Sequence, residues 1–458
     1  MHHSFVETSY NPRELLHVET GDRVSLDFDS LENYAFSPLT PEDVDILQIS
    51  AAIAYVDRRA PRRIKGPWTR SFELTLPVYN PRLWSDKMVQ QNLTYLLCLL
   101  TGDSWKLNFF ARHENTIYKD AAALRRSHIS DNKTLPFKAP NTAGVLMYSD
   151  GMDSFLTRAI WDASEKPRNY ILVSTTRHRA RLNVPTTPGS LQKSRVQLTA
   201  PLYFPKGRAT SFRTRAFIYL TTSFLAAAKS NSDQVILGEN GVGALGPFLI
   251  RIGNEPPLIG SNPIATNAYA NFFNHLMGTN ISCQHPNLWR TKAEVIGEYI
   301  RKNGAPRELQ KTSSCSYDAR HSTKNCKRVP CGICGGCLYR RMSLSVAGLS
   351  DNDSYLIEDL NESDLYAYSK RIDKSPRSKT RTGHFSAMHM SALAKHSLSL
   401  DNPRFLALTV ELANTLGDTQ EKTTSQMRRM LRAYQFEFDQ FRDALTKDAW
   451  FHLMYEIA

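Results

Sequence analysis

The sequence predicts an α/β protein: a parallel-sheet core, preceded by a smaller α+β unit and followed by a helical extension. Three observations carry this. Between 145 and 237 short buried-strand runs alternate with helical segments, the signature of a parallel sheet. The first third mixes alternating and helical patterns. Beyond Leu349 the periodicity turns helical. The chain has 458 residues, 41% hydrophobic and 22% charged, an ordinary balance for a soluble globular protein. That excludes collagen-like, coiled-coil and largely disordered chains. No stretch approaches the roughly 20 apolar residues of a spanning helix. Met1-His2-His3-Ser4 lacks the basic and apolar regions of a secretion signal, so a cytoplasmic setting is expected.

In the first third, Thr40-Pro41-Glu42-Asp43 supplies an N-cap, a proline at the first helical position and acids for the helix dipole. Val44, Leu47, Ala51, Ala52 and Tyr55 continue at helical spacing. Phe72, Leu74, Leu76 and Val78 alternate as a half-buried strand that Pro81 ends. Trp84, Met88, Leu93, Leu96, Leu97 and Leu100 form a helical stripe closed by Gly102. Trp105, Leu107 and Phe109 alternate again. The polar stretch Lys119 to Pro140 reads as a linker, which bounds an accessory unit at 1–137.

The α/β rhythm then begins. Val145-Leu146-Met147-Tyr148 is a buried-strand run, followed by a turn and a helix from Met152 to about Ala163. Tyr170-Ile171-Leu172-Val173 and Gln234-Val235-Ile236-Leu237 are further strands, with a long helical segment over Phe212 to Lys229. This domain is placed at 138–349 and a helical extension at 350–458. In the extension Met427, Leu431, Tyr434, Phe438, Phe441 and Leu445 make one apolar stripe. Lys370 to Arg381, basic and Ser/Pro-containing, reads as a loop.

Lys and Arg number 57 against 44 Asp and Glu, a net charge of +13. This permits an anionic partner and does not choose among nucleotide, nucleic acid and acidic protein. The cysteines are more informative. There are seven, and five fall between Cys315 and Cys337. A secreted disulfide framework is denser and usually even in count, so a cluster of this kind points to metal. Cys98, inside Leu96-Leu97-Cys98-Leu99-Leu100, reads as a small core residue.

Two motifs carry chemistry. Ser149-Asp150-Gly151-Met152-Asp153-Ser154 sits where a strand turns into a helix, the place where open α/β sheets bind ligands. Backbone N–H groups there point at an anion, Ser149 and Ser154 add hydroxyls, and Gly151 admits close approach. Asp153 can hold a metal ion or orient the loop. The plain reading is that strand-to-helix turns simply contain such residues. No Gly-Lys-Ser/Thr follows, so this is not the lysine-containing loop of common NTPases. The second motif, Cys331-Gly332-Ile333-Cys334-Gly335-Gly336-Cys337, has C-x-x-C-x-x-C spacing. Two residues between thiols let a tight turn aim both sulfurs at one tetrahedral ion. Cys315, Cys326 or His321 can supply a fourth ligand. Structural zinc is the natural reading and an iron–sulfur cluster the minor one.

The segment from Val145 to Phe155 resembles the pyrophosphate loop, Ser-Gly-Gly-x-Asp-Ser after a strand, of the ATP-pyrophosphatase (PP-loop) superfamily. Asp150 stands where that family has its first Gly. Ser313-Ser314-Cys315, then Pro330 to Cys337, then Arg340-Arg341 resembles the zinc end of the QueC-type 7-cyano-7-deazaguanine synthases. Thr291-Lys292-Ala293-Glu294-Val295 matches that family's Thr-Lys-x-Glu segment. Ser211-Phe212-Arg213-Thr214-Arg215 sits where it has an Arg at a helix start. The resemblance covers about residues 142 to 348. The added regions, with Gly238-Glu239-Asn240-Gly241 after the third strand, are similar to defence-associated relatives of the QatC type.

The resemblance implies that ATP adenylates a 7-deazaguanine carboxylate and that an amide then forms, on a partner protein's terminal amine. It implies a loop from Ser149 to Ser154 around the departing pyrophosphate, with Mg²⁺ beside Asp153. Lys292 with Arg213 or Arg215 would neutralise phosphate charge, where the plain alternative for each is a solvated cation. It implies Zn²⁺ on Cys315, Cys331, Cys334 and Cys337, with Cys326 as an extra thiol able to replace Cys315. Three further readings stand beside it: a housekeeping nitrile-forming synthase, a tRNA-adenylating and thiolating enzyme, and a scaffold without ATP chemistry. Nucleic acid is not the favoured partner, and no membrane is expected.

Overall fold

The computed structural model describes residues 1–8, 14–28, 30–31, 39–62, 68–112, 143–149, 151–164, 170–175, 197–205, 212–250, 257–316, 323–324, 327–351, 355–372, 375–396 and 403–457. Asp150, Ser211, His321, Cys326 and the expected linker around Lys119 to Pro140 lie outside them. In chain order come β1 (His2–Glu7), β2 (Leu15–His17), β3 (Arg23–Leu26), α1 (Pro41–Arg59), β4 (Ser71–Val78), α2 (Lys87–Thr101) and β5 (Ser104–Ala111). Then follow β6 (Gly144–Met147), α3 (Met152–Asp162), β7 (Tyr170–Ser174), β8 (Gln197–Thr199), β9 (Leu202–Tyr203), α4 (Arg215–Lys229) and β10 (Gln234–Leu237). Next are α5 (Gly241–Leu249), α6 (Pro263–Met277), β11 (Ser282–Gln284), α7 (Lys292–Arg301) and α8 (Gly335–Val346). The chain continues with α9 (Leu365–Ile372), α10 (Pro376–His396), α11 (Pro403–Leu416), α12 (Gln420–Asp443) and α13 (Trp450–Ile457).

These elements form two compact units interleaved in sequence. The first comprises Met1–Ser149, Arg168–Leu237 and Leu258–Gln284; the second comprises Asp150–Pro167, Gly238–Pro257 and His285–Ala458.

The first unit holds two sheets. One is mixed, in the order β5-β4-β1-β2-β3-β9. The other is parallel throughout, in the order β11-β10-β6-β7-β8. Counted along the chain, that order is the doubly wound one, and it reverses between β6 and β10, the topological switch point. The α/β class with a parallel sheet is therefore present. The strands expected at 145–148, 170–173 and 234–237 are β6, β7 and β10.

Sequence suggested that residues 1–137 stand apart from the parallel sheet. In the structure, both sheets belong to one unit. The reason is α1, which is buried along nearly its whole length. A helix buried all round belongs between layers, not at a surface. Here α1 packs on β3 of the mixed sheet and on α4, which lies against β6, β7 and β10. The Ser50 and Thr221 hydroxyls meet at 3.0 Å across that packing. Its start is the expected one: Thr40 and Asp43 form a reciprocal capping box with Pro41 behind it.

Buried charges lock α1 in place. Asp57 binds the Arg70 guanidinium at 2.6 Å and accepts both the backbone N–H and the hydroxyl of Thr214 at 3.0 Å, fixing the entry to α4. Arg70 also meets Asp103 at 2.6 Å, and Arg62 reaches the same carboxylate at 2.8 Å. Burial alone would raise the Asp103 pKa, yet hydrogen bonds from Arg70 and Arg62 outweigh it and hold the carboxyl below its ordinary value.

The second unit is helical. Met152, Leu156 and Ile160 of α3 share a core with Val295, Ile296 and Tyr299 of α7 and Leu344 of α8. The extension is helical as expected, and Met427, Leu431, Tyr434, Phe438 and Phe441 are buried along α12. Residue 350, the expected start of a separate extension, falls inside this unit. Two expectations are corrected. Lys370 to Arg381 is not a loop in its described part: it belongs to α9 and α10, with Pro376 at a first helical position and Lys370, Arg371, Arg377 and Arg381 on exposed faces. Cys98 is exposed, not core. Leu93, Leu96, Leu97 and Leu100 take the buried stripe of α2, and Cys98 falls on the opposite side of the turn.

Replacing Asp103 with Ala leaves Arg62 and Arg70 without their shared carboxylate. The expected loss is about 3–5 kcal/mol in urea denaturation; a loss below about 1 kcal/mol would contradict the role given to this network.

Candidate metal centre and lysine–aspartate site

Cys315, Cys331, Cys334 and Cys337 converge, all four sulfurs lying within 4.8 Å of one another. The Cys331 and Cys337 sulfurs are 3.9 Å apart. Tetrahedral zinc with Zn–S bonds of about 2.3 Å would place sulfurs about 3.8 Å apart. The ligand loop is set by backbone. Gly332 has φ +87°, a left-handed conformation, and an added Cβ would meet the Ile357 carbonyl at 2.2 Å. Backbone N–H groups already point at the thiols: Cys331 N–H at Cys315 Sγ (3.3 Å), Cys334 N–H at Cys331 Sγ (3.2 Å) and Ser316 N–H at Cys334 Sγ (3.4 Å). Hydrogen bonds from Cys331, Cys334 and Cys337 hold the Cys315 thiol far below its ordinary pKa, while the bond to Cys315 pushes Cys337 far above. Deprotonating all four sulfurs this close together is opposed by mutual repulsion, and a bound cation removes that conflict. The cluster can hold a metal ion, and its all-sulfur donor set suits zinc or an iron–sulfur centre.

The second site lies elsewhere in the same unit. Gly151 caps α3 with φ −77°, so no left-handed turn is required there. Met152 points into the core with Leu156, Val295 and Ile296. Ser154 donates its hydroxyl to the Gly151 carbonyl at 3.1 Å. Asp153, on the first turn, binds the Lys292 ammonium at 2.8 Å through Oδ2. Its other oxygen, Oδ1, accepts from Asn240 Nδ2 at 3.0 Å. Lys292 is 5% exposed, and its Nζ lies 5.1 Å from the centre of the Tyr339 ring.

Asn240 is saturated. Its Oδ1 accepts from Val242 N–H (3.1 Å), Gly243 N–H (3.2 Å) and the Tyr339 hydroxyl (3.0 Å), and Nδ2 also reaches Glu239 at 3.1 Å. The Tyr339 hydroxyl accepts in turn from the Lys292 backbone N–H at 3.2 Å. A Cβ on Gly238 would meet Thr157 Oγ1 at 2.7 Å and the Asp153 carbonyl at 3.0 Å, so only glycine lets this segment lie against α3. Asn287 clamps the same contact, donating to Thr157 Oγ1 at 2.9 Å and to the Gly238 carbonyl at 3.2 Å.

Lys292 opens α7, and Thr291 caps it in a capping box with Glu294. The Thr291 hydroxyl donates to Glu437 of α12, and Arg429 of α12 pairs with Glu294 and the Trp289 carbonyl. The C-terminal helices therefore hold the start of the lysine helix. Burial pushes the Glu437 carboxyl up to about 7.

Of the residues picked from sequence, the structure joins Asp153 to Lys292 and gathers the four cysteines. Ser149, half-buried after β6, belongs to the first unit. Arg213 and Arg215 belong there too. Arg213 is buried with its guanidinium 4.7 Å from the centre of the Trp68 ring, and Arg215 is exposed at the start of α4. Sequence reading missed Thr157, Asn287 and Tyr339 and gave Asn240 no role. The Gly238-Glu239-Asn240-Gly241 run was the available signal, since Asn before Gly-Val-Gly at a strand end reads as a helix cap. Comparisons with protein-family models, curated proteins and solved structures returned no match.

Two outcomes are expected. Cys331→Ser or Cys334→Ser removes the thiolate-to-metal charge-transfer band of the cobalt-loaded chain; an unchanged band would take these residues out of the metal site. Glu437 has its folded pKa raised from 4.5 to about 7. Its contribution to stability is therefore full below pH 4.5 and is lost as pH rises through about 7. Glu437→Gln should gain on the parent protein across that window, by roughly 1–3 kcal/mol above it. A stability difference independent of pH would contradict the assignment.

Proposed function

We propose that this chain is a PP-loop, QueC-like enzyme that uses ATP to adenylate a 7-deazaguanine carboxylate and then forms an amide, with a partner protein's terminal amine as acceptor in antiviral defence. The observation that carries the reading is the buried pair that Lys292 makes with Asp153, a residue on the first turn of the helix that follows Ser149-Asp150-Gly151. A buried ammonium held by one carboxylate is a cation ready to exchange that partner for phosphate.

A carboxylate resists nucleophilic attack because of its own charge. In the proposed reaction its oxygen attacks the α-phosphorus of ATP, the bond from that phosphorus to the β-bridging oxygen breaks, and pyrophosphate leaves. The acceptor amine then attacks the acyl carbon, AMP leaves, and the amine proton passes to solvent. Lys292 neutralises the phosphate charge that develops as pyrophosphate departs. Asn240 and Tyr339 orient Asp153 and Lys292. For Arg215, exposed at the start of α4 in the first unit, a phosphate role rests on the family resemblance alone. Arg213 is assigned to packing on Trp68. Mg²⁺, held by Asp153 and phosphate oxygens, would supply charge neutralisation. The cysteine centre is assigned structural Zn²⁺.

The tRNA-thiolating reading needs a reactive thiolate outside the metal cluster. Of the two candidates, Cys283 on β11 fits poorly, because desolvation pushes its thiol up to about 12, and Cys326 lies outside the described residues.

The test is pyrophosphate release from the full chain with ATP, Mg²⁺ and 7-carboxy-7-deazaguanine, with and without candidate protein acceptors. Lys292→Ala should lower release by about 100-fold or more. No release under any of these conditions would overturn the proposal, and release that depends on tRNA would favour the thiolating alternative.

A further inference from the structure

The mixed sheet of the first unit brings a second set of metal-type donors together, far in sequence from the cysteines. β1 and β2 pair antiparallel, with Phe5 opposite His17. Side chains two apart on a strand share a face, so His3 stands diagonally across from His17. The turn after β2 brings Glu19 back toward β1, where the Ser4 N–H donates to its carboxylate at 2.9 Å. One donor atom from each of His3, His17 and Glu19 lies within 4.8 Å of the others.

The contacts inside this triad crowd onto one ring nitrogen. His17 Nε2 is 3.0 Å from His3 Nδ1 and also 3.0 Å from Glu19 Oε2. A ring nitrogen carries either one proton or one lone pair. If Nε2 bears the proton, a single hydrogen has to serve both neighbours. If it does not, it can accept from His3, but its lone pair then faces a carboxylate oxygen. One cation at the meeting point satisfies all three donors at once.

The surroundings are those of a ligand set. His17 is 2% exposed. Its other nitrogen, Nδ1, is 2.8 Å from the Thr20 hydroxyl, which is 2.9 Å from the Tyr55 hydroxyl, which donates to Asp22 at 2.5 Å. Such a relay fixes the ring and leaves Nε2 as the ligating atom. Two imidazoles and one carboxylate suit a divalent transition ion, above all zinc, with a fourth position left for water or a ligand. Glu19 is exposed and gives the ion an entry path.

We propose that His3, His17 and Glu19 form a second, independent divalent-metal site of the zinc class. The test uses the full chain, purified through a C-terminal tag, stripped of metal and titrated with zinc and with cobalt(II). The parent protein should bind one metal equivalent more than His3→Gln or Glu19→Gln. Both variants should keep the cobalt–thiolate charge-transfer band, and His2→Gln should bind as the parent does. Zinc should also raise the melting temperature of the parent more than that of Glu19→Gln, a surface change that leaves the fold intact. Equal metal equivalents in the parent, His3→Gln and Glu19→Gln would overturn the site. So would loss of the extra equivalent in His2→Gln alone, which would assign it to the chain terminus.

Discussion

A lysine that is 5% exposed has to be neutralised where it sits. Lys292 meets this constraint with Asp153, and much of the second unit is arranged around that one pair. The ammonium stands on the first residue of α7, so the helix start must be held. Thr291 holds it from within, and Glu437 and Arg429 hold it from α12. The carboxylate stands on the first turn of α3, so that helix must be held as well. Asn240, Gly238, Asn287 and Thr157 do this through short, saturated contacts. A buried ion pair adds little net stability compared with apolar packing, but removing one partner is costly. The pair therefore specifies geometry more than it stabilises.

The first unit repeats the same device on α1. Three aspartates on that helix are fully buried: Asp43, Asp45 and Asp57. Asp43 pairs with Lys229 at the end of α4, and Asp57 pairs with Arg70 while capturing Thr214 at its start. Asp45 has Arg112 only at 3.8 Å, and burial pushes its carboxyl up to about 7. Two of the three thus tie opposite ends of α4 to α1. Since α4 covers β6, β7 and β10, the position of the parallel sheet depends on a helix from the first third of the chain.

This explains which parts of the structure were legible in sequence. Local signals were: the Thr40 cap, the alternation of Phe72 to Val78, Gly102 after α2, and the strands β6, β7 and β10 each declare themselves within a few residues. The cysteine spacing is local too, and three of its four thiols lie within seven residues. The packing of α1 between two layers was not legible, because α1 has a helical pattern whether it faces one layer or two. The apolar run around Cys98 hid its one outward position. Lys370 to Arg381 has loop composition, yet Lys370, Arg371, Arg377 and Arg381 line exposed helix faces and Lys379 is buried, so composition says little about conformation there. Tyr339 and Asn287 were missed because their partners, Asn240 and Thr157, lie 99 and 130 positions away.

The cysteine cluster and the lysine site are linked through one short helix. Cys334 caps α8 and Cys337 lies in its first turn. Tyr339 follows two residues later and spans Lys292 and Asn240 with its single hydroxyl. Arg340, 1% exposed, donates to the Thr312 carbonyl and hydroxyl and the Leu309 carbonyl, which ties the same helix to the segment leading into Cys315. A metal drawing Cys315 to Cys331, Cys334 and Cys337 therefore closes a loop whose two ends are already bridged by Arg340. The helix that results has its phase set by the sulfurs, and Tyr339 inherits that phase. A metal with no part in chemistry would in this way still decide where the tyrosine hydroxyl stands, and with it the alignment of Lys292 against Asp153.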